Sequence, residues 1–247
     1  EKYFDGSWKL GTAKVLKSGK HWYLHIAVSK EVEELKFKPS HVVGIDRGLR
    51  QLLTIYDEKG RTTFVNGKEI LQKRRHYKRL RQQLQSKNTK SAKRRLEAIG
   101  QRESRWMNDV NHCLSKTLVN HYGSGTIFTL EDLTNVTFDT VSKRAKNNRY
   151  EHHSWAFYDL EQKLIYKAFD KGSQVVSCDA HYTSQRCPKC GLIDSKNRNK
   201  NKHEFCCQAC SYRTNDDRVA AMNIQFLGTL YNSGNPKPAF EKLEVIN

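Results

Sequence analysis

The chain has 247 residues, enough for one large domain or two smaller ones with a real core. Lys and Arg number 44 against 26 Asp and Glu, a formal charge of +18 with a pI of about 9.6, which predicts a polyanionic partner, nucleic acid first. No stretch of about 18 or more apolar residues occurs, so no membrane span or membrane partner is expected.

Seven cysteines, six of them between positions 178 and 210, are uneven in number, and no charged-then-apolar leader opens the chain. Metal ligation in a reducing compartment is therefore expected rather than disulfides: the cytoplasm or nucleoid, or the nucleus of a eukaryote. The chain opens on Glu1 rather than Met, as a fragment or processed chain would.

Residues 11–29 read as a β-hairpin. Trp22, Leu24, Ile26 and Val28 alternate with Tyr23, His25 and Ala27, and Ser18-Gly19 supplies a turn. A hairpin alone is marginal, so these strands are expected to pack on further structure. HVVGIDRGLRQLLTIYD (41–57) reads as strand, glycine turn and strand. RTTFVNG reads as a third strand, making a meander at the start of a buried sheet.

From 68 to 120 the period becomes helical, with a break near SKNT at 86–89. Tyr77, Leu80 and Leu84 mark one apolar stripe; Leu96, Ile99, Met107, Val110, Leu114 and Leu118 mark another. Cys113 falls in the second stripe and is assigned to the core. Between 68 and 102 stand 13 Lys or Arg against two acids, Glu69 and Glu97. A charge run is usually a solvated face, but so strong a bias repels itself unless neutralised. Phosphate-backbone contact is expected at Lys73, Arg74, Arg75, Lys78, Arg79, Arg81, Lys93, Arg94 and Arg95.

TIFTLEDL (126–133) is a short buried strand, and 137–150 is a basic loop that adds Lys143 and Arg144 to the expected contacts. HHSWAFYDLEQKLIYKAFDKG is an amphipathic helix with Phe157, Leu160, Leu164 and Ala168 on one stripe, ended by Gly172. SQVVSCDA is a strand with Cys178 in the core. The cysteine cluster follows, then a last helix through AAMNIQFLGTLY and a tail after Ser233 that reads as flexible. This order gives an α/β core with a helical and a cysteine-rich insertion.

Cys187 and Cys190 form CPKC, and Cys207 and Cys210 form CQAC, with sixteen residues between the inner pair. Two such knuckles match a four-thiolate zinc ribbon. Cys206 could replace Cys207, but Cys207 restores the C-x-x-C spacing. His203 is a spare candidate that four thiolates make unnecessary. Four protein ligands leave no open position, so the zinc is structural. Lys196, Arg198, Lys200 and Lys202, between the knuckles, suit a phosphate backbone.

Asp46 ends one apolar strand, Glu131 ends another, and Asp217 opens the last helix. Converging carboxylates repel and are costly to desolvate, and hard divalent cations remove that cost. Two such ions could activate water and stabilise a leaving oxygen. Singly, each acid has an ordinary role: Asp46 closing a turn, Glu131 pairing with an arginine, Asp216 or Asp217 capping the helix. Asp132 points to the opposite strand face from Glu131.

GIDRG, LEDL, CPKCG…CQAC and DRVAAMNI, in this order and joined by YTSQRCPKCG (Tyr182–Gly191), resemble the TnpB/OrfB proteins encoded by insertion sequences. These are related to type V CRISPR effectors and eukaryotic Fanzor proteins. The likeness runs from about residue 8 to about 231.

The resemblance implies a RuvC-like nuclease domain of RNase H fold: a mixed sheet with flanking helices, a basic helical insertion and an inserted zinc ribbon, preceded by a β-hairpin from a wedge-type barrel. The implied divisions are 1–40 for the barrel end, 41–182 for the core with its insertion at 68–122, 183–214 for the ribbon, 215–232 for the last helix and 233–247 for a tail. It implies RNA-guided DNA cleavage with Mg²⁺, or Mn²⁺ in its place. Asp46, Glu131 and Asp217 would hold that metal as catalytic residues, and Cys187, Cys190, Cys207 and Cys210 would hold Zn²⁺. DNA and a guide RNA are the implied partners.

Val219 stands where the family usually has Asn, and Ser211 where a glycine commonly follows the last cysteine. The chain begins inside the end of the barrel, so the family's N-terminal recognition region is expected to be missing. Two other readings compete: a relative that binds DNA under RNA guidance without cutting, and a zinc-ribbon nucleic-acid-binding protein accessory to transposition, with structural acids.

Overall fold

The computed structural model describes residues 3–19, 21–31, 37, 39–48, 50–133 and 157–242. The chain forms two compact units, residues 1–36 and 37–247.

The first unit holds an antiparallel pair, β1 (Lys9–Ser18) and β2 (His21–Ser29), closing from Ser18 opposite His21 with Gly19 at φ 60°. Its apolar side chains remain open, Trp22 at 67% exposure and Val15 at 64%.

The second unit is built on five strands: β3 (His41–Arg47), β4 (Gln51–Asp57), β5 (Thr62–Asn66), β6 (Thr126–Glu131) and β7 (Gln174–Cys178). Their order across the sheet is β5-β4-β3-β6-β7, with β3–β4–β5 an antiparallel meander and β3–β6–β7 parallel. The sheet is therefore mixed. Three helices lie between β5 and β6: α1 (Lys68–Lys87), α2 (Lys90–Ile99) and α3 (Arg102–Tyr122). Then come α4 (Phe157–Asp170) and, last, α5 (Asp216–Asn232).

Strand alternation sorts the side chains into two faces. Val43, Ile45, Phe128 and Leu130 pack with Met107, Leu118, Leu160, Leu164 and Ala168 of α3 and α4. The alternate positions, Val42, Gly44, Ile127 and Thr129, face α5. A Cβ at Gly44 would fall inside the backbone of Ala221 and Gln225, and one at Gly228 would strike Thr129. Two glycines thus let the backbone of α5 rest directly on β3 and β6. Asp46 and Glu131 continue the α5-facing series.

The break at 86–89 is present, and Thr89 caps α2 by accepting the Ala92 amide at 3.2 Å. A second break, at Gly100 with φ 34°, was not expected, because the apolar stripe runs on across it. Cys113 is a correction: it is exposed on α3, two positions from buried Asn111 and Ser115 and one from Leu114, which packs on the core. The tail also departs from expectation as far as it is described. Phe240 is 9% exposed and packs with Cys178, Ile224 and Leu227. Lys143, Arg144 and the rest of 137–150, with the expected helix start before Phe157, lie outside the described residues.

Candidate metal centres

The cysteine cluster sits on a small antiparallel sheet, β8 (Arg198–Asn199), β9 (Glu204–Cys206) and β10 (Arg213–Asn215). Each knuckle closes the same way. Gly191 N–H donates to Cys187 O at 2.9 Å and Cys187 N–H to Leu192 O at 2.8 Å. Ser211 N–H donates to Cys207 O at 3.1 Å and Cys207 N–H to Tyr212 O at 2.9 Å. The residue after each second cysteine is left-handed, Gly191 at φ 80° and Ser211 at φ 57°.

The Sγ atoms of Cys187, Cys190, Cys207 and Cys210 all lie within 4.8 Å of one another. Cys187–Cys210 is 3.6 Å and Cys190–Cys207 is 3.4 Å. A tetrahedral four-thiolate site with bonds of about 2.3 Å needs sulfurs about 3.8 Å apart, so the residues present fit zinc. Burial pushes the Cys207 thiol up, but the backbone amides of Cys210 and Ala209 outweigh it and bring it down to about 7, whereas burial pushes Cys187 up to about 12. Cys206 stands outside this set of neighbouring sulfurs, and Cys207 stands within it.

The acids meet at the N-terminal end of α5, which the ribbon strand β10 leads into. Ile45 pairs with Leu130, so Asp46 and Glu131, the next residue in each strand, stand side by side at the ends of parallel strands. Asp217, in the first turn of α5, faces them. Burial first, then the charges of Glu131 and Asp217, push the Asp46 carboxyl well above the usual carboxylate range. Burial also raises Glu131, against the Thr183 hydroxyl and the charges of Arg47 and Arg198. Burial and then the Asp216 charge raise Asp217, against Arg198, His203 and Arg50. The three expected acids therefore share one electrostatic site, though not as tightly as the sulfurs do. Among the described residues, the second set of ligand atoms within 4.8 Å is His203, Asp216 and Asp217.

Asp216 and Asp217 differ sharply. Asp216 is fully buried; its Oδ2 accepts from Arg198 Nε at 2.9 Å and its Oδ1 lies 3.6 Å from His203 Nδ1. Asp217 is half-buried and open toward Asp46. Neither caps α5. Asn215 does, accepting the Arg218 amide at 3.0 Å. Val219, where the family usually has Asn, is fully buried with Cys187, Phe205 and Cys207, so it serves the ribbon core.

Several contacts escaped sequence reasoning. Arg198 and His203, read as a phosphate contact and a spare zinc ligand, turn inward to Asp216. Arg47, whose side chain is 2% exposed, donates to Glu161 at 2.7 Å and to the Glu131 carbonyl, joining the two acid-bearing strand ends. Thr183 donates to Glu131 Oε1. Only the T-S-Q-R run before CPKC signalled any of this.

The expected basic contacts divide. Lys73, Arg75, Arg79, Lys93, Arg94 and Arg95 are exposed, and Lys78 is partly so. Lys73 lies 4.3 Å from the centre of the Trp106 ring. Arg74 is a correction: it is 5% exposed and paired with buried Glu103 at 3.4 Å, so it faces the protein and not a phosphate. Arg81 is partly buried against the same Glu103 at 2.5 Å.

Two family models match the chain: OrfB_IS605, described as "Probable transposase", over residues 25–136, and the Cas12f1-like TNB domain over residues 157–224. The chain is 32% identical over 241 residues to the CRISPR-associated endodeoxyribonuclease Cas12f1 of Sulfoacidibacillus thermotolerans, covering 91% of this chain and 55% of that protein. It is 27% identical over 233 residues to a TnpB-like protein of Methanocaldococcus jannaschii, covering 91% and 80%. The chain belongs to the TnpB/OrfB family. This TnpB/OrfB chain spans about half the length of the first Cas12f1 relatives it matches, 55% and 43%. Its fold is similar to that in a CRISPR-Cas12f ternary complex, with a TM-score of 0.60 and 20% identity over 97% of this chain and 48% of that one. A Cas12f1–sgRNA–target DNA complex gives a TM-score of 0.57 at 16% identity over 86% and 55%. Among the described residues no helix of the TnpB/OrfB chain is long and apolar enough to cross a membrane.

Proposed function

We propose that the chain is the nuclease part of a TnpB-type DNA endonuclease, guided by RNA in its full context, acting through a RuvC-like, RNase H-like core. The proposed division is a core over 41–182 with the basic insertion at 68–122, a ribbon over 183–214 and a closing helix over 215–232; residues 1–40 are the end of a wedge-type barrel. The observation that carries the reading is the electrostatic convergence of Asp46, Glu131 and Asp217, each raised by burial and Asp46 by the other two.

Three partly buried carboxylates, each raised by burial and Asp46 also by the other two, are a donor set for Mg²⁺, or for Mn²⁺ in its place. When bound, such ions supply a water-derived nucleophile and stabilise the leaving oxygen of a phosphodiester. The chain's own part is to fix the oxygens. Asp46 and Glu131 come from adjacent parallel strands tied at their ends by Arg47, and Asp217 comes from a helix seated on the same two strands. Cys187, Cys190, Cys207 and Cys210 would hold zinc with no open position, and their ligation would fold the segment that delivers Asp217. Exposed cations on α1 and α2 would hold the backbone of DNA or guide RNA, with sequence left to base pairing. Such a protein would work beside DNA, in the nucleoid or cytoplasm.

The test is Mg²⁺-dependent cleavage of single- and double-stranded DNA, with and without co-purified RNA, by the native chain and Asp46→Ala. Cleavage by the native chain alone is expected, with target selectivity only when RNA is present. Nucleic-acid binding by both proteins with cutting by neither would leave the binding-only reading. Equal selectivity without RNA would remove guidance.

A further inference from the structure

We propose that Thr183 is a positioning residue for the Glu131 carboxylate, an inference that rests on reading Glu131 as a cation ligand. The Thr183 hydroxyl has one proton to give. Two acceptors are in reach: Glu131 Oε1 at 2.5 Å and the Ala180 carbonyl at 3.0 Å. A threonine serving only its own turn would be satisfied by Ala180. Here the shorter bond runs to a charged oxygen 52 positions away in sequence, and hydrogen bonds to charged groups are the stronger kind. Thr183 is 2% exposed, so water does not compete for the proton.

The hydroxyl is itself held from behind. Asn223, fully buried on α5, donates through Nδ2 to the Thr183 carbonyl at 2.7 Å and to the Arg186 carbonyl at 2.8 Å. Arg186 returns a contact of 3.4 Å to Asn223 Oδ1. Both hydrogens and the oxygen of one amide are thus spent on holding the 183–186 turn. Asn223 stands on the same helix as Asp217. Glu131 and Asp217 are therefore referred to one rigid element, Asp217 directly and Glu131 through Asn223 and Thr183.

A long glutamate at a strand end otherwise keeps rotamer freedom, which any ligand must remove on binding. Thr183 occupies Oε1 and removes that freedom in advance. Oε2 would then be the oxygen offered to a cation. Groups that orient metal ligands in this way commonly change metal affinity or activity on the order of 10- to 100-fold when lost.

The experiment uses the full chain as native protein, Thr183→Ser, Thr183→Val and Glu131→Gln. Cation binding is read without turnover by Tb³⁺ luminescence and its displacement by Mg²⁺. Cleavage is read as the Mg²⁺ concentration for half-maximal rate. Thermal unfolding without divalent ions controls for stability. Thr183→Ser should match the native protein in both cation readouts. Thr183→Val should need on the order of 10- to 100-fold more Mg²⁺ in both, with its unfolding midpoint close to that of Thr183→Ser. Should Val not fold, Thr183→Ala carries the same comparison. Native Mg²⁺ dependence in the hydroxyl-free variant, with Glu131→Gln impaired, overturns the role of Thr183 alone. Equal binding by native and Glu131→Gln overturns the ligand reading, and the proposal with it.

Discussion

Asp216 and Asp217 are neighbours in sequence with opposite fates. The first is sealed under Arg198 and His203, and the second stays open to Asp46. That division has a pH signature. A carboxyl raised on folding binds more protons in the folded than in the unfolded chain, beginning at its ordinary value, 3.8 for Asp and 4.5 for Glu, and ending at its raised one. Within that window stability falls as pH rises. Asp46 is raised by burial and by two like charges, so replacing it with a neutral amide removes a repulsion that grows with pH. Without divalent ions, Asp46→Asn should melt above the native protein at neutral pH, and the gap should shrink toward roughly pH 4. Thermal melts of both proteins across that range, compared as a difference, cancel the titrating groups remote from the site and leave Asp46 with the acids it repels. A gap constant with pH would remove the claim. With saturating Mg²⁺ the order should reverse, because the native site gains a ligand that binds only the folded state.

The ribbon offers a sharper test of local geometry. Its two knuckles are built alike, yet one places glycine and the other Ser211 in the left-handed region. That conformation costs an ordinary residue roughly 1–2 kcal/mol, while glycine's extra freedom when unfolded returns about 0.5–1 kcal/mol of it. Ser211→Gly should therefore stabilise the zinc-bound ribbon by about 0.5–1 kcal/mol, and Gly191→Ala should destabilise it by at least as much. Competition for zinc by a chromophoric chelator reads both; a weaker-binding Ser211→Gly would contradict the geometry. The ribbon was legible from its two C-x-x-C spacings, and Ser211 stood out as a serine where a glycine commonly follows. The meander, β6 and β7 were legible from runs of Val, Ile and Leu, and the acids from their places at strand ends. What sequence did not give were inward-turned cations. Arg198 and His203 sit in a basic stretch that reads as a solvated face, and only the closure of the ribbon onto α5 turns them to Asp216. Thr183 and Asn223 are ordinary polar residues by type, and their bonds span 52 and 40 positions. Cys113 misled because helical stripes blur by one position, and Gly100 because Ile99 stays buried beside it.

At the scale of the whole molecule, charge is unevenly spent. Of 44 Lys and Arg, 13 lie between 68 and 102, where α1 and α2 carry all but Arg102, the first residue of α3. Burial divides them into two kinds with different consequences. Arg74 is buried against Glu103, which Arg81 also reaches, so Arg74→Ala removes one of that acid's cationic partners, a loss below the roughly 3–5 kcal/mol of a buried charge left with none. It should lower the stability of the helical insertion and leave the salt dependence of nucleic-acid binding as it was. Lys93, Arg94 and Arg95 are exposed on α2. Each phosphate contact releases condensed counterions and adds about 0.9 to the slope of log affinity against log salt on duplex DNA, or about 0.7 on a single strand. Replacing all three with alanine should therefore lower the slope by about 2–3, with little change in the melting of the fold. Fluorescence anisotropy on a labelled duplex and a labelled single strand, from low to physiological salt, measures it. An unchanged slope would mean that these cations are solvated and that the polyanion lies on another face. A reduced slope with Arg74→Ala as well would mean that the insertion reshapes when its buried pair is broken.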